Sequence, residues 1–238
     1  MKKFILLAML VGSVATASAQ MSFSFGPRVG FNIGTMSFSP DISDPQTGFG
    51  AGATKSGRFG MMFGAVADIT FGKMFGGEMG LIYTMKGSSI SIPNGGNTVT
   101  LDYKVNELDI PILFKVNFLT GKLRPYAFLG PNLGLILSAT GSVSGTGINI
   151  PDFDLKTSGD GTNQAQGFDG VGTLDFTLEF GGGAEYLLTK QIGIIFDLRY
   201  SLGLGNIYTA GAKAPANIQG VSWKTSGFQI MLGTNFHI

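Results

Sequence analysis

The sequence predicts an all-β protein, an eight-stranded antiparallel up-and-down transmembrane β-barrel preceded by a signal peptide. Three observations lead there. Long runs alternate apolar residues with polar or small ones, the period of an extended chain with two unlike faces. Connections between the runs alternate in length, as they do when short turns lie on one side of a membrane and long loops on the other. Charged residues make up 13% of the 238-residue chain, half the ~25% of a soluble domain.

The amino-terminal segment is read first. Lys2 and Lys3 give a positive start, Phe4 to Val14 is an apolar run, and Ala17-Ser18-Ala19 fits the small-residue cleavage rule. Residues 1–19 are therefore expected to be a signal peptide, and 20–238 a single barrel domain.

The strongest stretch is Leu101 to Leu137. Leu108, Ile110, Ile112, Phe114, Val116 and Phe118 share one side; Asp109, Pro111, Leu113, Lys115 and Asn117 share the other. A short turn over Leu119 to Lys122 leads into a return strand carrying Leu129, Pro131, Leu133, Leu135 and Leu137, with Gly130, Asn132, Gly134 and Ser138 opposite. Each run exceeds the roughly 9–11 residues that a tilted transmembrane strand needs.

In chain order, the strands are expected at about Phe23 to Phe38, Arg58 to Phe71, Gly77 to Ile90, Val99 to Phe118, Leu123 to Ala139, Thr173 to Tyr186, Ile192 to Leu204, and Val221 to the end. Pro93-Asn94-Gly95-Gly96-Asn97 is a strong turn signal within a moderately long outer connection. The apolar parity of the fourth strand is odd through Val105 and even from Leu108; a β-bulge near Asn106-Glu107 would absorb the slip. The longest loop is expected at Thr140 to Gly172, others at Ser39 to Gly57 and Gly205 to Gly220. That leaves three short turns and four outer connections.

Periodicity alone does not say which face points out, since a soluble lipocalin-type barrel lines its cavity with the greasy one. Here the polar face is rich in Gly, Asn, Ser and Thr, which suit a crowded lumen better than a solvated surface. Charges hardly interrupt the apolar face, where one Lys or Arg at mid-bilayer costs about 2–4 kcal/mol. Aromatics cluster near strand ends: Phe71, Phe118, Tyr186 and Phe236 at the inner rim, Phe59, Tyr83, Tyr103, Tyr200 and Trp223 towards the outer rim. The greasy face is therefore expected to meet lipid.

The lumen face then collects the acids Asp68, Glu78, Asp109, Asp175, Glu179, Glu185 and Asp197 and the bases Arg28, Lys86, Lys115 and Arg199. Charges in a narrow lumen must pair, so a structural ion-pair network is expected. A conducting pore and a catalytic carboxylate pair are the alternative readings of the same residues. His237 is the sole histidine, near the inner rim, and reads as a rim residue rather than a Ser-His catalytic base. It cannot form a two-histidine metal site.

With no cysteine, disulfides, thiolate metal sites and a lipid anchor on Cys are excluded. The net charge of +1 argues against a nucleic-acid partner. Gly50 to Ser56 fails the phosphate-loop pattern because Thr54 stands where Gly must precede Lys55. Asp152 and Asp154 fail the calcium-loop pattern at Lys156. No cofactor is expected.

Leu108-Asp-Ile-Pro-Ile-Leu-Phe-Lys115 followed by Arg124-Pro-Tyr-Ala-Phe-Leu-Gly-Pro-Asn-Leu-Gly134 resembles the PorT-like outer-membrane β-barrel family of Bacteroidetes, with Asp109 where Glu is commoner. The neighbourhoods of Gly30, Gly134 and Gly233 agree. The resemblance implies the barrel fold and an outer-membrane address. It carries no catalytic residues, and the namesake's part in type IX secretion does not pass to this chain through it. Phe236-His237-Ile238 resembles the terminal aromatic signal read by barrel-assembly machinery. The expected partners are outer-membrane lipid, that machinery, and an external ligand or secretion component met by the loops.

Overall fold

The computed structural model describes residues 21–39, 41, 52–156, 170–209 and 222–238. The expected signal peptide lies outside these residues, as does the first part of the Gly50 to Ser56 stretch. Eleven strands occur among the described residues: β1 (Met21–Ser39), β2 (Thr54–Phe71), β3 (Phe75–Asn94), β4 (Asn97–Asn117), β5 (Leu123–Gly145), β6 (Ile148–Asp154), β7 (Gly170–Val171), β8 (Leu174–Leu187), β9 (Ile192–Gly203), β10 (Tyr208–Thr209) and β11 (Ser222–His237).

Eight of them close a ring in the order β4-β3-β2-β1-β11-β9-β8-β5, sealed by pairing of β4 with β5. Every neighbour in the ring is antiparallel. Closure leaves no sheet edge facing hydrocarbon, the condition for a strand structure to cross a bilayer. The turns after β2, β4 and β8 are short and share one end of the ring with Met21 and His237, while β3, β4 and β5 run on beyond the opposite end, which sets the three turns on the periplasmic side.

The greasy side faces out. Phe31, Phe63, Ile112, Leu133, Phe176 and Phe196 are exposed on the outer wall, while Arg28, Asp175, Glu179 and Arg199 are buried inside. The inner-rim aromatics Phe71, Phe118, Tyr186 and Phe236 are exposed on the wall too, as are Phe59 and Tyr200 further out.

Two aromatics expected at the outer rim turn inward instead. Tyr103 is buried and Trp223 packs beside it in a cluster with Met36, Ile90, Val105 and Ile136. The reason is a change of solvent. On β4 the outward positions are apolar from Val116 to Leu108, then become Asn106, Lys104, Asp102 and Thr100. Leu108 to Phe118 spans roughly 26 Å along the barrel axis for a tilted strand, the height of the hydrocarbon band. Beyond it water bathes the outer face, and the apolar residues swap to the inside. β1 and β3 change at the matching height, with Thr35, Ser37, Ser89 and Ser91 facing out and Met36, Phe38, Ile90 and Ile92 facing in.

The bulge expected in β4 is therefore not needed there: Tyr103, Val105, Glu107, Asp109, Pro111, Leu113 and Lys115 keep one inward parity. A register shift does occur at Asn106/Glu107, but the extra residue is Leu137 of β5, between Ile136, opposite Glu107, and Ser138, opposite Asn106. Ser138 is thereby turned outward, where its hydroxyl accepts from the Asn106 amide at 2.9 Å.

Other boundaries shift outward as well. β5 continues to Gly145 and turns into β6 where a loop was expected from Thr140. The second outer connection is a two-residue hairpin turn, with Gly95 and Gly96 at φ +55° and +86°. Both values lie in the left-handed region that such a turn requires and that glycine adopts without penalty. The long strands thus carry a sheet of β2 to β6 well above the bilayer.

Replacing Ile112, midway along the lipid-facing run, by Arg is expected to destabilise the folded barrel by about 2–4 kcal/mol. Asn106→Arg, six residues further out on the same face, is expected to leave stability unchanged within error. Urea titration in vesicles, read by heat-modifiable gel migration, checks the contrast.

Candidate functional site: the barrel lumen

Inward positions on all eight ring strands converge on a narrow interior. Its side chains form two ionic clusters. In the first, Lys115 Nζ lies 2.6 Å from Asp68 and 3.0 Å from Glu78. Arg199 reaches the other oxygen of Glu78 at 3.1 Å, Glu179 at 3.1 Å and Asp197 at 3.3 Å. Arg28 stands 3.6 Å from Asp68 and donates to the Asn235 side chain at 2.7 Å. Asn235 in turn donates to Asp68 at 3.1 Å, and the Tyr126 hydroxyl donates to Asp197. The cations also rest on rings: Lys115 is 4.1 Å from the centre of Tyr126, and Arg199 is 4.9 Å from that of Phe128.

The second cluster gathers three carboxylates around one ammonium. Lys86 Nζ is 2.7 Å from Glu107, 3.3 Å from Asp109 and 3.8 Å from Asp175. Asn132 donates to Asp109 at 2.9 Å and to Thr177 at 3.2 Å, and the Thr225 hydroxyl donates to Asp175. Glycines make the room. A Cβ on Gly134 would sit 2.5 Å from the Glu107 carboxylate, and one on Gly233 would sit 2.5 Å from the Arg28 side chain.

All eleven charged residues expected on the lumen face are buried: Arg28, Asp68, Glu78, Lys86, Asp109, Lys115, Asp175, Glu179, Asp197 and Arg199 within the ionic layer, and Glu185 at its periplasmic mouth. The sequence reading missed Glu107, which is fully buried against Lys86. Its odd parity, shared with Asp109 and Lys115, was the available signal. Tyr126, Asn132, Thr177, Thr225 and Asn235 were also missed. Tyr126, Asn132, Thr225 and Asn235 each donate to a buried carboxylate and Thr177 accepts from Asn132; alternation does not distinguish such neutral groups from other polar residues.

Both ends of the ionic layer are distinctive. At the periplasmic mouth, His237 Nε2 is 2.7 Å from Glu185, and Arg124 lies 3.8 Å from the other oxygen of that carboxylate. They border a polar vestibule of about 540 Å³, lined also by Ser22, Thr70 and Lys73. At the outer end the interior is apolar. Phe38, Tyr103 and Trp223 meet in mutual ring contacts at 5.5–5.7 Å. Burial there pushes the Tyr103 hydroxyl pKa up to about 12. Leu155, Val171 and Ile207 complete the stopper. Lys104 holds Asp152 by two hydrogen bonds at 2.8 and 2.9 Å on the outside and lowers its carboxyl pKa. No cluster of three or more His, Cys, Asp or Glu with metal-binding geometry occurs among the described residues.

A closed antiparallel ring, greasy outside and ionic inside, defines a small integral outer-membrane β-barrel. The chain belongs to the outer membrane protein beta-barrel domain family, whose model matches residues 18–209. Its fold is similar to that of the outer membrane protein OprG from Pseudomonas aeruginosa, with a TM-score of 0.53 and 13% identity over 92% of this chain and 97% of that one. It is also matched to Neisserial surface protein A, with a TM-score of 0.43 and 14% identity over 89% and 96% of the two chains. No curated protein matches the sequence at a significant level.

Lys86→Met is expected to leave three buried carboxylates without their ammonium and to destabilise the barrel by about 3–5 kcal/mol. Lys104→Met, which breaks the exposed Asp152 pair, is expected to leave the unfolding midpoint unchanged. Denaturant titration of the two variants in lipid bilayers measures both.

Proposed function

We propose that this chain is a closed, non-catalytic outer-membrane barrel that works through the segments it holds outside the cell, in a structural, adhesive or ancillary secretion role. The observation that carries this reading is the double obstruction of the lumen. The ionic layer fills the bilayer-spanning part, and the aromatic and aliphatic stopper lies above it. An eight-stranded barrel is only just wide enough for side chains to fill it. At the level of the stopper Tyr103, Val105 and Ile136 are all buried, which supports a closed interior.

The extended sheet of β2 to β6 supports an outward-acting role, because it adds surface beyond what a membrane anchor requires. Within the family, the motifs around Asp109 and Arg124 favour the PorT-like group of Bacteroidetes. Cleavage after Ala19 would deliver the mature chain, with Phe236 presented to the barrel-assembly machinery. A lipid-modifying enzyme is disfavoured because His237 is committed to Glu185 at the periplasmic mouth.

The competing reading is a small solute pore, which the polar vestibule would serve as an entrance. Purified protein in a planar bilayer is expected to give no steady conductance steps at physiological salt. Sustained open events would overturn the closed-barrel reading and establish the pore.

A further inference from the structure

We propose that a recess on the inner face of the extracellular sheet, between β4, β5 and β6, binds a small, uncharged, hydrophobic molecule. The recess has a volume of about 450 Å³, within the roughly 300–1,000 Å³ of small-molecule sites. Val143 of β5 stands opposite both Leu101 of β4 and Ile150 of β6, so the three side chains share one face. Tyr103, Phe153 and Leu155 complete the lining.

Three features separate this recess from ordinary core. One step nearer the bilayer the same inner face is packed shut, with Val105, Ile136 and Ala139 at 0–2% exposure. At the recess, apolar surface stands open, and Ile150 at its margin is 47% exposed although it lies outside the lipid band. Open apolar surface in water is costly and is recovered when an apolar molecule covers it.

The second feature is that the walls are held in place. β5 is hydrogen-bonded to β4 along one edge and to β6 along the other, so the backbone ladders fix the walls. Phe153 lies over Gly141, where a Cβ would come within 2.7 Å of its ring. A braced cavity does not collapse when empty, so binding costs little ordering.

The third feature is charge. The inward side chains at the recess, Leu101, Tyr103, Val143, Ile150, Phe153 and Leu155, are all uncharged, whereas Asp102, Lys104 and Asp152 face outward. A carboxylate on the ligand would lose water against these apolar walls with no cation to receive it, so a neutral molecule is preferred. The recess lies above the bilayer, beyond the ionic layer, and shares Tyr103 and Leu155 with the stopper; ligand binding there is read independently of conductance.

The test uses the full mature chain in lipid nanodiscs, titrated with the neutral fluorophore N-phenylnaphthylamine against empty nanodiscs. Saturable binding above lipid partition is expected, displaced by decanol and poorly by decanoate. Val143→Trp, which fills the recess, is expected to weaken binding by about tenfold or more. Ser144→Trp, on the outward face, is expected to leave it unchanged. Ile150→Asn, at the exposed margin, gives the same reading if the Trp variant loses heat-modifiable migration. A signal no greater than that of empty nanodiscs, or recess variants that titrate like the parent, would overturn the proposal. Displacement by decanoate equal to that by decanol would overturn the uncharged ligand class.

Discussion

Hydrocarbon offers a peptide N–H nothing to bond to, and the rest of this structure follows from that single deficiency. Every ring strand must be paired along both edges, so the sheet closes and β1 meets β11. A closed sheet in lipid has one face in oil, which selects the Phe, Leu and Ile ribbons. The other face encloses a space too narrow for bulk water. The lumen is therefore filled by side chains that pair their charges with one another, as Arg199 does by reaching three carboxylates at 3.1–3.3 Å. Charges isolated in that space would be prohibitively costly, whereas a connected set holds a fixed geometry.

The same logic, with the solvents exchanged, governs the part above the bilayer. Once the outer surface is wet, nothing favours greasy side chains outside, and they close the interior instead. One continuous strand such as β4 serves both regimes without a break. Below the boundary its inward face supplies Glu107, Asp109 and Lys115; above it, the same face supplies Tyr103 and Val105. Barrel and extracellular sheet are thus one covalent and hydrogen-bonded body, with an ionic interior at one level and an apolar interior at the next.

Alternation made the ring legible, because a two-residue period with short and long connections leaves few alternatives. The ionic interior was legible for the same reason: charged residues shared the parity of the glycines. What alternation did not convey was which medium surrounds each height of a strand. The parity swap at Asn106 and Glu107 was visible in the sequence, and a bulge was one way to explain it. A change of solvent is the other, and only the pairing of β4 with its neighbours separates the two. Assigning the swap to a bulge in β4 removed Glu107 from the lumen and put Tyr103 on the wrong face; Trp223 of β11 was misplaced because the change of solvent along the strands was not read. Strand extension past Thr140 was hidden by the polar, glycine-rich composition of that stretch, which suits a loop and a water-exposed hairpin equally well.

The central claim, that lipid gives way to water along an unbroken β4 while its inward parity persists, is tested most directly by a spin-label scan. The chain has no cysteine of its own, so single cysteines can be placed one at a time from Thr100 to Val116 in the reconstituted protein. Collision rates with oxygen report lipid, and those with a water-soluble nickel complex report solvent. The account predicts oxygen access at even positions from Leu108 to Val116, nickel access at even positions from Thr100 to Asn106, and shielding from both at the odd positions from Tyr103 to Lys115. Oxygen access at Tyr103 and Val105, the signature of a strand that flips its faces, would contradict it.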